Sequence, residues 1–289
     1  MNILEQIFSG FNKQEINYCI IRKYDYLPFT PIGDVDIAVK SQNFEKLIGI
    51  IKNLGFIFYP YTEPHYFWFY YDSEIGLVKL DIIKLKEMPE TIKFKGFYIL
   101  KNIQDIRLKK SLFKKIKTNL QRRLYYLGKG KLIAFIGPDG SGKSTLTKKV
   151  YESLEGFQIK KEIRYFGTKK GGKFYRIIDL SLKIIKTYID LFLGRMILAD
   201  RYVYLTFRNN KRMNKLVRAI APKPNKIYIL KVPSDIILKR KKELTRYEIK
   251  GLYMWFKNIK DAETIDTSRS PKKSADFVAK EILNLYKNG

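Results

Sequence analysis

One stretch near the middle of the chain constrains the fold more than any other. Residues 132–145 are LIAFIGPDGSGKST, an apolar run followed by a glycine-rich turn and a Lys-Ser-Thr triplet. Gly137, Gly142, Lys143 and Ser144 occupy every defined position of the phosphate-loop pattern G-x-x-x-x-G-K-[ST], and the apolar run supplies the strand that the pattern requires. The sequence therefore predicts a buried strand, a tight loop and a helix in direct succession.

The residue types of this loop suit a nucleoside triphosphate. Glycines let backbone N–H groups point inward, and the following helix adds the positive end of its dipole. Lys143 can reach the terminal phosphates, and the Ser144 hydroxyl can ligate Mg²⁺. A glycine-rich turn without a ligand is the alternative. The expected ATP-binding residues are Gly137, Gly140, Ser141, Gly142, Lys143, Ser144 and Thr145.

Charge is distributed unevenly along the chain. The 289 residues carry a net charge of +29, yet the first hundred hold 11 basic and 12 acidic residues, which leaves 46 and 16 for residues 101–289. A net charge of +30 exceeds what one triphosphate requires, so RNA, DNA or an anionic membrane is an expected partner. Solvated lysines from a Lys-rich proteome are the alternative.

Composition excludes several classes of protein. A hydrophobic content of 45% indicates a globular chain, and the length allows two domains. A single cysteine, Cys19, excludes internal disulfides and thiolate metal clusters. The N-terminus lacks the basic start and apolar run of a signal peptide, and charged residues interrupt the apolar segment 177–198. We therefore expect a cytoplasmic protein without a transmembrane segment.

The first hundred residues are predicted to form a small α+β domain. Helices are expected over 1–11 and 43–54, and strands near 18–21, 33–39, 56–59, 66–71 and 77–83. Asp34 and Asp36 share one side of a strand, and Asp81 lies on another. This arrangement resembles the nucleotidyltransferase fold, which implies that the three carboxylates bind Mg²⁺. The resemblance covers about residues 16–85, but Arg22-Lys23 occupies the region where the family has a Gly-Gly or Gly-Ser pair, which indicates a degenerate or differently specialised member. Two aspartates in a strand-edge turn, without a metal, are the alternative.

Residues 101–130 are predicted to connect two domains. Apolar residues recur at helical spacing between 106 and 127, and lysines cover much of the remaining surface. Such a basic amphipathic helix can lie on a membrane or along a phosphate backbone, but most often it packs on a domain. Gly128-Lys129-Gly130 is the expected boundary.

From residue 131 onward strands and helices alternate. Strands are expected at 132–136, 162–166, 196–202, 226–232 and 264–266. Helices are expected at 174–193, 234–242, 247–260 and 274–287, and Ser234 is the expected N-cap of the second of these. The helix 174–193 has Ile178, Leu182, Ile185, Ile189 and Phe192 on one face, opposite Arg176, Asp179, Lys183, Lys186 and Asp190. This order predicts an α/β domain with a doubly wound parallel sheet.

Three segments in this half resemble the thymidylate kinase family of phosphate-loop kinases. They are the loop itself, Asp200-Arg201-Tyr202, and the segment around Arg240, and the resemblance covers about residues 131–288. It implies that Arg201 binds transferring or acceptor phosphate and that Asp200 lies near Mg²⁺ or the acceptor, with a structural salt bridge between the two as the alternative. It also implies a mobile lid that brings Arg240, and with it Arg246, over the phosphates, although solvated helix charges are the alternative for Arg246. Residues 167–173 lack the family's acidic and proline elements, which favours a larger or more anionic acceptor than thymidine monophosphate.

The sequence thus predicts domains at 1–100 and 131–289 and an ATP- and Mg²⁺-dependent kinase. The acceptor is expected to be a nucleotide or another phosphorylated molecule, with a nucleic-acid end among the candidates. The expected catalytic residues are Lys143, Asp139, Asp200, Arg201 and Arg240, and the expected metal ligands are Ser144, Asp200, Asp34, Asp36 and Asp81. The alternatives are an ATP-dependent nucleic-acid-binding module without turnover and a kinase of anionic glycan or lipid head groups. A monomer and a dimer are both left open.

Overall fold

A computed structural model gives the fold of residues 1–22, 24–29, 33–59, 65–101, 124–167, 173–205, 211–241, 244–268 and 270–287. The chain divides into two compact units. The first comprises Met1–Tyr125 with Leu154–Phe157 and Tyr286–Gly289, and the second comprises Tyr126–Ser153 and Gln158–Leu285. Most of the predicted connecting segment 101–130 lies outside the described residues.

The first unit is built on a mixed seven-stranded sheet. Its strands are β1 (Tyr18–Ile20), β2 (Val35–Lys40), β3 (Ile57–Tyr59), β4 (His65–Asp72), β5 (Gly76–Leu85), β6 (Thr91–Phe94) and β7 (Phe97–Leu100). They lie in the order β3-β4-β5-β2-β1-β7-β6, with β2 parallel to β5. Helices α1 (Ile3–Lys13) and α2 (Phe44–Asn53) contribute buried apolar side chains to the same core. Because β2 and β5 are adjacent and parallel, residues on the two strands lie side by side.

The second unit is built on a five-stranded, all-parallel sheet. Its strands are β8 (Lys131–Ile136), β9 (Lys161–Tyr165), β10 (Met196–Asp200), β11 (Lys226–Lys231) and β12 (Ala262–Asp266), in the order β12-β11-β8-β10-β9. Its helices are α3 (Lys143–Ser153), α4 (Lys173–Phe192), α5 (Lys211–Ile220), α6 (Ser234–Arg240), α7 (Arg246–Phe256) and α8 (Pro271–Asn284). The chain is therefore of the α/β class, with one mixed and one fully parallel sheet.

Both faces of the parallel sheet are buried. Leu132, Ala134 and Ile136 of β8 share a core with Leu180 and Ile184 of α4. Ile133 and Phe135 alternate with them and are also fully buried. Helix α3 contacts β8, β9, β10 and α8, and the inner residues of both helices are buried. We infer that α3 and α8 cover the second face, as the apolar run of β8 predicts for a parallel strand.

The orientation of α4 is unexpected. Its sequence has an apolar face and a charged face, a pattern that normally directs the apolar face inward. Here Ile178, Leu182, Ile185, Ile189 and Phe192 are all exposed, whereas Thr187 and Asp190 are buried beside Leu180 and Ile184. The inward polar groups are satisfied by Arg164 of β9, which donates hydrogen bonds to Thr187 at 2.8 Å and to Asp190. A buried ionic network thus takes the place of part of the expected apolar packing.

Several elements and one helix cap of the structure differ from those predicted from the sequence. Pro233, rather than Ser234, is the N-cap of α6, and no side-chain hydrogen bond caps that helix. Helix α5 and the β6–β7 hairpin were not predicted, and β10 ends at Asp200 because Arg201 has a φ of 58°. Within the described ranges, no helix is long and apolar enough to cross a membrane.

Candidate functional site

The predicted phosphate loop lies at the carboxyl edge of the parallel sheet. In the strand order, β10 and β9 lie on one side of β8, and β11 and β12 lie on the other. The order in which the chain adds strands therefore reverses beside β8. Ligands of open α/β sheets bind outside the carboxyl ends of the strands at such a point. The loop 137–142 follows β8 there, and Asp200 ends the neighbouring strand β10.

Glycines give the loop its conformation. Gly140 and Gly142 both have a φ of 88°, which places them in the left-handed region that other residues rarely adopt. A Cβ on Gly137 would lie 2.7 Å from the Ser141 Oγ and 3.1 Å from the Leu230 carbonyl oxygen. The loop therefore requires glycine at the positions where the motif has it. The Thr267 hydroxyl, just after β12, donates a 3.0 Å hydrogen bond to the Ser141 carbonyl and fixes the loop from the other side.

Lys143 is held within the loop by oxygen atoms. Its Nζ donates to the carbonyl oxygens of Gly137 at 3.0 Å and Pro138 at 2.7 Å, and lies 3.3 Å from Asp139 Oδ1. Burial lowers the pKa of this ammonium, and Asp139 partly opposes that shift. The buried cation is thus held against the carbonyl oxygens at the start of the loop.

Asp200 and Ser144 face one another at the edge of the site. The Ser144 hydroxyl donates a 2.5 Å hydrogen bond to Asp200 Oδ2. Asp200 is buried, and within the part of the chain that the structure describes its Oδ1 has no hydrogen-bond partner. A buried carboxylate oxygen without a partner is costly, which is the pattern expected where a cation or its bound water completes the site. The structure thus brings two predicted Mg²⁺ ligands together.

Asp139 and Arg201 form an ion pair across the mouth of the site. Arg201 donates from Nη2 to Asp139 Oδ1, the same oxygen that faces Lys143. Burial opposes ionisation of Asp139, but the charges of Lys143 and Arg201 outweigh it and lower the pKa of the carboxyl. Because Asp139 already pairs with two cations, it is better suited to hold Lys143 and Arg201 in place than to bind a metal ion.

Asp139, Lys143, Ser144 and Arg201 line a cleft of about 500 Å³. Arg240 enters it and donates from Nη1 to the Gly140 carbonyl at 3.2 Å, whereas Arg246 pairs with Asp235 at 2.6 Å on the exposed surface. The lining also includes Thr267 and Tyr165, which sequence reasoning missed although each lies at the carboxyl end of a predicted strand. The cleft is lined by Asp139, Gly140, Gly142, Lys143, Ser144, Thr145, Leu146, Tyr165, Arg201, Arg240, Lys241, Thr267 and Pro271.

A second cleft of about 600 Å³ is lined in part by Tyr202, Val203 and Tyr204, which follow Arg201 in the chain. Aromatic and cationic side chains line it together: Trp255 forms one wall, and the Arg218 guanidinium lies 5.0 Å from the centre of the Tyr204 ring. Lys215 and Lys223 add positive charge. The sequence did not indicate this cleft, because its residues come from α5, α7 and the segments between strands.

In the first unit, Asp34, Asp36 and Asp81 each pair with a basic side chain. Lys79 Nζ lies 2.6 Å from Asp34, Arg22 Nε donates to Asp36, and the His65 ring lies 2.8 Å from Asp81. The three basic partners are Arg22, His65 and Lys79.

The register of β2 and β5 places Asp36 directly beside Asp81. Burial raises the pKa of Asp81, although its hydrogen bond to His65 opposes the shift. Among the described residues, no three His, Cys, Asp or Glu side chains form a group that could hold one metal ion. Metal binding by Asp34, Asp36 and Asp81 stays a prediction. No protein-family model matches the chain.

Proposed function

We propose that the second unit is an ATP-dependent phosphotransferase that requires Mg²⁺. The observation that carries this proposal is a glycine-built loop and a buried lysine at one cleft, beside the buried carboxylate of Asp200. Asp200 accepts a hydrogen bond from the cleft residue Ser144, and its other oxygen has no hydrogen-bond partner among the described residues. A structural turn would need the glycines but would gain nothing from the two buried charges, since each costs free energy in the absence of a ligand. The assignment to a nucleotide kinase in particular rests on the resemblance of residues 131–288 to the thymidylate kinase family.

The residues present fit both a triphosphate and Mg²⁺. On binding, Lys143 would exchange carbonyl oxygens for phosphate oxygens, and the loop N–H groups would point at the same ligand. Ser144 and Asp200 are the residues that would hold Mg²⁺, since hydroxyl and carboxylate oxygens suit that ion. Bound there, Mg²⁺ would neutralise charge on the phosphates.

The proposed reaction transfers one phosphoryl group. An acceptor oxygen forms a bond to the γ-phosphorus, and the bond from that phosphorus to the β,γ-bridging oxygen breaks, which releases ADP. Lys143 and Arg201 stabilise the charge that spreads over the transferred group, and Arg240 covers the cleft and excludes water. Asp139 keeps Lys143 and Arg201 oriented before the substrates arrive.

The second cleft is the proposed position of the acceptor. Its stacking surfaces and three cations would suit a ligand that has both an aromatic ring and phosphate, which supports a nucleotide or nucleic-acid end over a glycan or a lipid head group. The cleft contains Trp255, and Trp68 is the chain's other tryptophan. In a Trp68→Phe protein, an acceptor that enters the cleft should therefore change the fluorescence of Trp255.

Transfer of labelled γ-phosphate tests the proposal. The protein is incubated with labelled ATP, Mg²⁺ and a panel of nucleoside monophosphates and short RNA and DNA oligonucleotides, and the labelled product is identified. Lys143→Ala should abolish transfer, while Lys148→Ala, on the exposed side of the same helix, should leave it unchanged. Unfolding temperatures of both variants control for loss of structure. Equal transfer by Lys143→Ala and the parent protein would disprove the mechanism.

The rival is an ATP-dependent nucleic-acid-binding module. The net charge of +30 on residues 101–289 favours this function, because it is more positive charge than the binding of one triphosphate requires. Such a module would bind oligonucleotides with an affinity that falls steeply as salt rises, and it would give no phosphorylated product. The same incubation therefore distinguishes the two functions.

A further inference from the structure

The segment that connects β10 with α6 is basic throughout. Residues 201–234 include nine basic residues and no acidic one, and they contain the whole of helix α5. Arg201 lines the cleft of the phosphate loop, whereas Lys215, Arg218 and Lys223 line the second cleft. The segment therefore brings positive charge to both clefts. The nine basic residues are Arg201, Arg208, Lys211, Arg212, Lys215, Arg218, Lys223, Lys226 and Lys231.

Helix α5 presents a row of three exposed cations. Arg212, Lys215 and Arg218 recur at intervals of three residues, so neighbouring Cβ atoms in the row lie about 5–6 Å apart. Lys223 pairs with Asp261 at 3.9 Å, but within the described part of the chain the three residues of the row form no ion pair. Like charges at this spacing destabilise a helix, and the phosphates of a polyanion would remove that cost.

The second cleft offers two flat surfaces at the end of this row. Trp255 of α7 is half-buried and forms one wall. The Arg218 guanidinium lies 5.0 Å from the centre of the Tyr204 ring, which is only 8% exposed. Because that ring is itself buried, a ligand can stack on the exposed side of the guanidinium but not on the tyrosine. Indole rings and guanidinium planes are the surfaces on which unpaired bases stack in nucleic-acid complexes.

Hydrogen bonds hold the walls of this cleft in place. Asn214 donates from Nδ2 to the Tyr204 carbonyl at 3.0 Å, and the Tyr202 hydroxyl donates to the Pro222 carbonyl. The volume of about 600 Å³ lies within the range of about 300–1,000 Å³ that is usual for small-ligand pockets. A base inside a duplex is stacked between its neighbours and cannot enter such a cleft, whereas an unpaired base can. The cleft therefore fits one nucleotide of a single strand.

We propose that the α5 row and the second cleft together bind single-stranded nucleic acid. One base stacks in the cleft against Trp255, and the phosphates of the adjoining nucleotides lie along the row. Arg212 is outside the lining of the cleft, so a contact with it requires a ligand longer than one nucleotide. The inference rests on the proposed function in one respect, because the base occupies the cleft assigned to the acceptor.

Strand binding in the absence of ATP tests the phosphate contacts. Fluorescence anisotropy is measured with labelled DNA and RNA strands of about ten nucleotides, and binding of either supports the inference. Arg212→Ala with Lys215→Ala should lower the slope of log affinity against log salt by about 1.4, since each phosphate contact on a single strand contributes about 0.7. Lys148→Ala with Lys280→Ala is the matched control, because it removes two exposed lysines from α3 and α8. The control should keep the parent slope.

Trp255 tests whether a base is bound as well as phosphate. In a Trp68→Phe protein a single strand should change the fluorescence of Trp255, while a duplex of the same sequence and heparin, which has charge but no bases, should not. Trp255→Ala should weaken single-strand binding about 5- to 150-fold and leave heparin binding unchanged, because only stacking is lost. Trp255→Phe should retain most of the affinity. Unfolding temperatures control for loss of structure.

Ligand length separates this inference from the proposed function. Arg212→Ala should weaken the binding of strands and leave the affinity for a nucleoside monophosphate unchanged. Transfer of phosphate to monophosphates without any strand binding would overturn the inference alone, and strand binding without transfer would overturn the proposed function alone. A parent salt slope in the Arg212→Ala, Lys215→Ala protein would also overturn the inference. Pelleting with anionic phospholipid vesicles that depends on these two residues, without strand binding, would assign the surface to lipid instead.

Discussion

Two aspartates of the candidate site in the second unit, Asp139 and Asp200, should respond to the same substitution with opposite changes in stability. Asp139 pairs with Lys143 and Arg201, while Asp200 accepts one hydrogen bond from the neutral Ser144 hydroxyl and leaves Oδ1 without a described partner. Aspartate-to-asparagine substitution keeps the shape and removes the charge. At Asp139 it removes a favourable ion pair, and at Asp200 it removes a buried charge that is poorly compensated.

The magnitudes follow from these contacts. A hydrogen bond to a charged group contributes about 1.5–3 kcal/mol, so Asp139→Asn should lower the free energy of unfolding by about 2 kcal/mol. An unsatisfied buried polar atom costs about 1–3 kcal/mol, but the Asp200 charge also favours the Lys143 ammonium. We therefore expect Asp200→Asn to raise the free energy of unfolding by about 1 kcal/mol.

Thermal unfolding of the nucleotide-free protein measures both changes. Because the pKa of Asp139 is lowered in the folded state, the deficit of Asp139→Asn should be present at neutral pH and should shrink as the pH falls below about 4. ATP with Mg²⁺ at 100 times its dissociation constant should stabilise the parent protein by about 2.7 kcal/mol. In Asp200→Asn that gain should fall to the value for ATP without Mg²⁺. A strongly destabilised Asp200→Asn, or one with an unchanged response to Mg²⁺, would refute this account of the site.

Three further outcomes follow from other buried charges. Burial lowers the pKa of Lys143, so ATP affinity measured by calorimetry should decline as the pH rises toward 10, and Lys143→Ala should lack that decline. Arg22→Ala leaves the buried Asp36 carboxylate without its cationic partner and should lower the free energy of unfolding by about 2 kcal/mol. If the carboxylates of the first unit bind metal, added Mg²⁺ should restore part of that free energy. Arg164→Leu should destabilise the second unit by about 3–5 kcal/mol in urea unfolding, with little rescue by Arg164→Lys because lysine cannot reproduce the forked contacts.

Sequence reasoning found those parts of the fold whose signals are local. The apolar run of β8, the glycines of the loop and the start of α3 lie within 14 residues, and the alternation in the sequence predicted the strand β2. The β6–β7 hairpin was missed because its turn uses Lys95 and Gly96, with φ values of 44° and 88°. Lysine is uncommon in the left-handed region, so the sequence carried a weak turn signal.

Contacts between distant segments were not predictable. Thr267 binds the Ser141 carbonyl across 126 positions, and nothing in the local sequence specifies that bond. The rotation of α4 is a similar case, because its apolar periodicity identified an apolar face but not the direction in which that face points. That direction is set by Arg164, whose partners Thr187 and Asp190 lie 23 and 26 residues away.

Five carboxylates were predicted as metal ligands or catalytic groups, and their neighbours now separate them. Asp34, Asp36 and Asp81 are each compensated by a basic side chain of the first unit, and Asp139 by two cations of the second. An external cation must displace those partners before it can bind, which costs part of its binding free energy. Asp200 requires no such displacement, because its described hydrogen bond comes from a neutral hydroxyl. Mg²⁺ should therefore bind first at Asp200, and Arg22, which pairs with Asp36, should oppose metal binding in the first unit.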